Sequence, residues 1–167
     1  MNIRKQKGFS LIELLIVVAI ILIIAAIAIP NLLRARIAAN ESAAASGIRT
    51  INTGEISYNS TYPTVGYSAA LQDLGPGGVA AACPAPPTKP ASCVIDGVLA
   101  SGVKQGYTYV YAGVTGTPAV TYQIKANATQ ANQSGVRAFC SFADAVVRFA
   151  ASGTIATCDG TVTVLGQ

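Results

Sequence analysis

The chain has 167 residues, of which 51% are hydrophobic, and it carries eleven basic and seven acidic side chains. Histidine is absent, which removes most general-base and metal-binding chemistry from consideration. Arg4, Lys5 and Lys7 precede a long hydrophobic run, so the remainder of the chain is close to neutral and gives no support to nucleic-acid binding.

The first element is an apolar run from Phe9 to Ile29, in which Glu13 is the only charged residue. About 20 helical residues, rising ~1.5 Å each, cross the ~30 Å hydrocarbon core of a bilayer. Basic residues before such a helix are typical of its cytoplasmic side. The sequence therefore predicts a single membrane-spanning helix, with everything after Pro30 outside the cytoplasm.

Glu13 is unusual within this run. A carboxylate in a membrane helix costs ~2.5–3.5 kcal/mol on insertion scales, and such residues are functional candidates by default. The hydrophobic run offers Glu13 no cation with which to pair. A partner from outside the run is therefore expected.

The N-terminal region resembles that of type IV pilins and the related pseudopilins. The resemblance rests on the basic leader ending in Gly8, on Phe9-Ser10-Leu11-Ile12-Glu13-Leu14-Leu15, on the apolar run, and on Ala28-Ile29-Pro30. It implies that a prepilin peptidase cleaves between Gly8 and Phe9 and methylates the new Phe9 amine. It also implies that Glu13 pairs with the Phe9 amine of a neighbouring subunit, and that the helix kinks at Pro30.

Two plainer hypotheses apply to the same residues. A secretory signal peptide would be cleaved after its apolar core, and Ala25, Ala26 and Ala28 could imitate its small-residue site. A simple membrane anchor would explain the hydrophobicity. Such an anchor would not explain Glu13 or the Gly8–Phe9 junction.

After Pro30 the apolar residues recur at helical spacing, which predicts that the helix continues to about Tyr58. The residues of this face are Leu33, Ile37, Ala44, Ile48 and Ile51. We divide the N-terminal part into a leader at 1–8, a transmembrane or filament-core helix at 9–29 and an amphipathic continuation at 30–60. Residues 61–105 are rich in Gly, Ala and Pro, and predict an irregular variable loop region with at most one short helix, near Ala69–Leu74.

From residue 106 to 167 the hydrophobic period becomes two, which predicts an antiparallel sheet. The predicted strands surround Tyr107–Tyr111 and Val120–Ile124, joined by a hairpin loop at Val114–Pro118, and continue with Val136–Phe142, Ala145–Ala150 and a weak Thr161–Leu165. The alternating tyrosines are expected to be core residues. The fold class is α+β: a long N-terminal helix packed on a C-terminal antiparallel β-meander, as the resemblance to pilins also implies.

Four cysteines, Cys83, Cys93, Cys140 and Cys158, lie on the exported side, where disulfides persist. Three pairings are possible, and we favour the local ones, Cys83–Cys93 and Cys140–Cys158. A Cys140–Cys158 bond would resemble the disulfide that encloses a C-terminal surface loop in many pilins. Zinc is the alternative, but there is no CxxC spacing. Asp96, Asp144 and Asp159 could hold calcium, although scattered aspartates are more often turn residues. No metal and no cofactor is predicted.

The sequence contains no motif of a catalytic site, so we expect no enzyme and no catalytic residues. The resemblance implies a structural subunit that polymerises with identical copies through its N-terminal helix. The implied partners are the prepilin peptidase, an assembly ATPase, a platform protein and possibly a secretin. The subunit would reside in the inner membrane before assembly and in an extracellular pilus afterwards.

Two other functions remain open. A pseudopilin of a type II secretion system shares the same N-terminal motif and would form a short periplasmic pseudopilus that drives protein export. A membrane-anchored binding module or enzyme that never polymerises would need neither Phe9 nor Glu13.

Overall fold

A computed structural model describes residues 9–77 and 82–166 of the chain. The leader, including Gly8, lies outside these residues. The chain divides into two compact units between Ala35 and Arg36. Helix α1 (Leu11–Thr61) contributes to both units, and each is described separately.

In the first unit, helix α1 is apolar on all sides from Leu14 to Pro30. From Leu11 to Ile29 only Ala25 is partly covered, and every other side chain is exposed. Pro30 lies inside the helix and α1 continues beyond it. The kink at Pro30 and the domain boundaries stay predictions.

In the second unit, α1 buries one face against a sheet. Ala44, Ile48 and Ile51 are buried, as their spacing predicts, and Tyr58 extends the same face. Unexpectedly, the buried face also includes Glu41, Asn52 and Glu55. Charged and polar groups in such a face require hydrogen-bond partners from the opposing element.

The sheet has five antiparallel strands in the order of the sequence, so it is a meander. The strands are β1 (Val103–Lys104), β2 (Tyr107–Gly116), β3 (Ala119–Ala128), β4 (Ala138–Phe142) and β5 (Arg148–Ala150). Its core-facing side chains include Tyr107, Tyr122, Ile124 and Phe139, all essentially inaccessible to solvent. The α+β prediction is confirmed.

The β2–β3 hairpin is longer than the sequence predicts. Residues 114–116 belong to β2, and only Thr117 and Pro118 connect it to β3. The extension is irregular, with a register shift between Ala112 and Thr115. The Thr115 and Thr121 hydroxyls lie 2.7 Å apart across the strands, and this side-chain hydrogen bond supports pairing in a segment that the sequence predicts to be a loop.

The prediction of at most one short helix in 61–105 is wrong. A 3₁₀ turn occupies Leu71–Leu74, and a second short helix, α2 (Gly97–Ala100), follows. The Asp96 carboxylate accepts a hydrogen bond from the Leu99 amide at 2.9 Å, so Asp96 is the N-cap of α2. The two-residue strand β1 also lies in this region and pairs with β2.

The last two strands begin later than predicted, and each shift has its own cause. The Val136 and Arg137 amides donate to the Glu41 carboxylate, at 2.9 Å each, and β4 begins at Ala138. Ala145 has a positive φ of 58°, which no extended strand accommodates, so β5 begins at Arg148.

The predicted strand at Thr161–Leu165 forms only an isolated bridge, between Arg148 and Val164. Two backbone hydrogen bonds hold this segment beside β5: Phe149 donates to Thr163 at 2.8 Å and Leu165 donates to Val147 at 2.9 Å. The segment thus covers the edge of β5 without being a regular strand. Two disulfides, Cys83–Cys93 and Cys140–Cys158, complete the unit.

Candidate functional site

Phe9 and Glu13, the two residues for which the resemblance to pilins implies a role in assembly, lie just before α1 and in its first turn. The Phe9 side chain is 80% exposed. The Glu13 carboxylate accepts a hydrogen bond from the Ser10 amide at 2.9 Å. In the uncleaved chain the Phe9 nitrogen is part of a peptide bond and carries no charge.

The Ser10–Glu13 contact is half of a capping box, in which a glutamate at the third helical position satisfies the amide of the N-cap residue. Sequence reasoning missed this role, although a serine three residues before a glutamate at the start of an apolar run is its signal. Glu13 forms no ion pair within residues 9–77 and 82–166. The Glu13 carboxylate therefore caps its own helix, and its negative charge has no cationic partner among the described residues.

The apolar surface that follows is far too large for a helix in water. Fifteen large hydrophobic side chains between Phe9 and Ile29 are exposed, with Leu11 at 79% and Leu22 at 63%. Burying one such side chain is worth ~1.5–3 kcal/mol, so the set amounts to tens of kcal/mol. The length and composition of this segment fit a membrane-spanning helix.

Glu41 connects the helix to the sheet in the second unit. Its side chain is 8% exposed and accepts hydrogen bonds from the Val136 and Arg137 amides, while the Arg137 Nε lies 2.8 Å from its Oε2. Burial disfavours ionisation, but these three hydrogen bonds and the guanidinium charge hold the pKa of Glu41 below its ordinary value.

Glu55 is fully buried and has a different environment. It accepts hydrogen bonds from the Ser68 amide at 3.0 Å, the Ser68 hydroxyl at 2.5 Å and the Tyr111 hydroxyl at 2.6 Å. Burial raises the pKa of Glu55 above its ordinary value, although these hydrogen bonds oppose the shift. The contacts attach the segment that follows α1 to both the helix and β2.

Two of the three tyrosines in the predicted row of β2 are core residues, and the third, Tyr111, is partly buried against the core. Tyr107 and Tyr109 are buried, and burial raises the pKa of each to about 12. The Tyr107 hydroxyl donates to the Arg137 carbonyl at 2.6 Å, and the Tyr122 hydroxyl donates to the Asn52 side chain at 3.0 Å. These hydroxyls serve as buried hydrogen-bond donors.

The three aspartates considered for calcium are each engaged separately. Asp96 pairs with Lys104 at 2.8 Å, Asp144 pairs with Arg148 at 2.6 Å, and Asp159 accepts from Thr161. The described parts of the chain contain no cluster of three or more potential metal ligands of the types His, Cys, Asp and Glu.

Comparison with known proteins supports the interpretation of the N-terminal region. A family model described as the prokaryotic N-terminal methylation motif matches residues 3–29. The predicted resemblance to type IV pilins is confirmed. The matched residues include the Gly8–Phe9 junction and Glu13.

Two similar curated proteins are components of pili. The type IV wide pilus major component PilA4 of Thermus thermophilus is 67% identical over 39 residues, which are 23% of this chain and 30% of that protein. The type IV major pilin protein PilA of Myxococcus xanthus is 45% identical over 54 residues, 32% of this chain and 24% of that protein. The matches thus span less than a third of either pilin. No solved structure gives a significant match.

Proposed function

We propose that this chain is the precursor of a structural subunit of a type IV pilus-like filament. In this proposal, prepilin peptidase cleaves between Gly8 and Phe9 and methylates the Phe9 amine, and the subunit then polymerises through its N-terminal helix. The observation that carries the proposal is the prepilin-type motif at residues 3–29, followed by an apolar helix that the described chain leaves uncovered.

Before assembly, the bilayer covers the apolar part of α1, and the subunit is a single-pass protein of the inner membrane. During assembly, the helix leaves the bilayer and enters a bundle of identical helices. The apolar surface is therefore covered both before the transfer, by lipid, and after it, by the neighbouring helices. An assembly ATPase, a platform protein and possibly a secretin would be needed to extract the subunit and export the filament.

Glu13 then has two successive roles in the proposal. In the precursor it caps its own helix through the Ser10 amide. After cleavage, the Phe9 amine of a neighbouring subunit supplies the cation that Glu13 lacks. Because an unpaired charge in an apolar bundle is costly, only a subunit in the correct register would be accepted.

The testing experiment is mass spectrometry of material sheared from the surface of the native cells. We expect an abundant filamentous fraction whose N-terminal peptide begins at methylated Phe9. Processed protein that stays in the membrane fraction would favour the pseudopilin function instead. Protein that is uncut at Met1, or cut after Ala28, would contradict the proposal at its first step.

A further inference from the structure

The second unit carries an exposed loop that is closed by a disulfide and whose tip is basic. The proline loop, as we term Cys83–Cys93, is closed by a disulfide and contains four prolines. Residues 85–90 are all exposed. Its only charged residue is Lys89, whose side chain forms no hydrogen bond or ion pair with the described residues.

Hydrogen bonds hold this loop in one conformation. At its tip, Thr88 and Ala91 donate to each other's carbonyls at 3.2 and 3.0 Å, so Lys89 and Pro90 form the end of a tight turn. The Tyr58 hydroxyl of α1 donates to the Lys89 carbonyl at 3.2 Å, and the Ser92 hydroxyl donates to the Asp73 carbonyl at 2.8 Å. A loop ordered in advance loses little conformational entropy when it binds.

A cavity of about 330 Å³ with complementary chemistry lies elsewhere in the same unit. The C-terminal cavity, as we term it, is lined by β3, β4 and the segment after Cys158. Phe142 and Ala143 provide apolar walls, Tyr122 contributes only the 1% of its surface that is exposed, and Asp159 provides a carboxylate. Its volume is at the lower end of the range for ligand pockets, ~300–1,000 Å³. No residue of the proline loop lines it.

Asp159 is available for an external cation. Its two hydrogen bonds, from the Thr161 amide at 2.9 Å and the Thr161 hydroxyl, both go to Oδ1. Its Oδ2 has no hydrogen-bond partner within residues 9–77 and 82–166. Asp96, by contrast, already pairs with Lys104 of the same chain.

We propose that the proline loop of one subunit occupies the C-terminal cavity of a neighbouring subunit, with the Lys89 ammonium paired to the Asp159 carboxylate. Proline rings pack well against aromatic side chains, as in the recognition of proline-rich segments by aromatic-lined grooves. The loop and the cavity are different surfaces of one chain, so their contact is heterologous and can repeat in an open helical assembly. This inference rests on the proposed filament function and names a contact between its exported parts.

The first test uses unmodified filaments and a carbodiimide, which joins a lysine amine directly to a carboxylate in contact with it. We expect covalent dimers and larger multimers under reducing conditions, and a peptide in these bands that joins Lys89 to Asp159. The Lys89→Gln and Asp159→Asn variants, which preserve side-chain size, should lack this product. A filament in which Lys89 is joined to another carboxylate, or to another protein, or in which Asp159 is joined to another lysine, would overturn the proposal.

The second test reverses charges and measures sheared filament relative to the processed subunit in the membrane. Lys89→Glu and Asp159→Lys should each lower this ratio by about fivefold or more, and the double variant should restore it. Lys104→Glu makes the same change in net charge at a residue that pairs within its own chain, and Asp159→Lys should not rescue it. Normal assembly by both single variants would contradict the contact.

The two tests separate this inference from the proposed function. If the unmodified chain is processed but forms no filament, the function itself fails, and the contact fails with it. If filaments form without the Lys89–Asp159 product, the function stands and the contact is wrong. Recovery of processed subunit in the membrane shows, for each variant, that the chain was made and inserted.

Discussion

The three glutamates of helix α1 differ in what surrounds them. Glu13 lies among exposed apolar residues and caps the helix, Glu41 is held by two amides and a guanidinium, and Glu55 is buried among hydroxyl groups. The same carboxyl group therefore caps the helix at Glu13, attaches the sheet at Glu41 and attaches a loop at Glu55. Substitutions that remove only the charge can separate these roles.

At Glu13 the glutamine variant distinguishes capping from charge pairing. Glutamine can also occupy the third position of a capping box, so Glu13→Gln keeps the bond to the Ser10 amide and removes the charge. We expect Glu13→Ala and Glu13→Gln to be processed and inserted normally, and both to lower filament yield by about tenfold or more. The measurement is filament mass after shearing. Normal assembly by Glu13→Gln would mean that Glu13 acts only as a cap.

Glu55 and Glu41 should make opposite contributions to the pH dependence of stability. The folded pKa of Glu55 is above the unfolded value of 4.5, so the folded chain binds this proton more tightly. Its stabilising contribution is fully present below the unfolded pKa and is lost as pH rises through the folded pKa. Glutamine has one acceptor oxygen for the three donors that contact Glu55, so we expect Glu55→Gln to lower the free energy of unfolding, by about 1–3 kcal/mol in acid and by less at mildly alkaline pH, where the unmodified chain has lost the contribution of Glu55.

Glu41→Gln is the matched control, because the folded pKa of Glu41 is below its ordinary value. Its contribution is present above the unfolded pKa and is lost as pH falls through the folded pKa. This variant should therefore be destabilised most at alkaline pH. Thermal unfolding of the full chain in detergent, followed across this pH range, measures both. If the change in unfolding free energy followed the same pH dependence in both variants, the opposite pKa shifts of Glu41 and Glu55 would be wrong.

At the scale of elements, Glu41 and Arg137 connect α1 to the start of β4. Glu41→Ala would leave the partly buried Val136 and Arg137 amides without their acceptor, whereas Arg137→Ala would leave the carboxylate with both amide bonds. We expect a loss of about 2–4 kcal/mol for Glu41→Ala and about half of that for Arg137→Ala. Denaturant unfolding of both variants and of the double variant checks this. Equal losses would show that the guanidinium carries the connection.

The two disulfides are expected to make different contributions to the free energy of unfolding, because they differ in burial more than in the length of the loop they close. Closing loops of 10 and 18 residues contributes about 3 kcal/mol in each case. Cys140 and Cys158 are buried, with Ile155 packed beside them, whereas Cys83 is exposed. The Cys140→Ser, Cys158→Ser pair should therefore lower the free energy of unfolding more than the Cys83→Ser, Cys93→Ser pair. Denaturant unfolding measures both losses, and equal losses of unfolding free energy would show that burial of the disulfide does not matter.

At the scale of the whole molecule, the continuous apolar surface is confined to the first unit. In residues 36–167 the exposed hydrophobic side chains that the structure describes are Ile56 and scattered valines, and single side chains of this kind are normal on soluble surfaces. A variant consisting of residues 36–167 should fold, remain soluble without detergent and fail to enter filaments. Gel filtration and circular dichroism measure the first two properties. Aggregation of this variant in water would show that the second unit also carries a continuous apolar surface.

The sequence predicts the order of elements because two strong periodicities mark them. Ala44, Ile48 and Ile51 follow the helical period and are buried, and Tyr107 and Tyr109 follow the strand period and are buried. The exact limits of β4 and β5 were not predictable, because they depend on a helix carboxylate distant in sequence and on a positive φ at Ala145. Asp96 as the cap of α2 was missed because a four-residue helix has almost no hydrophobic pattern.

By itself, the sequence determined the α+β class, the apolar helix and the resemblance to prepilins, since these depend on composition, period and a short continuous motif. Only the tertiary structure decided that Glu41 and Glu55 lie in the buried face of α1 and which groups satisfy them. It also decided that Asp159 lies at a cavity walled by Phe142 and Ala143. The physical reason is that hydrogen-bond partners and cavity walls are contributed by residues far apart in the chain, and only folding brings them together.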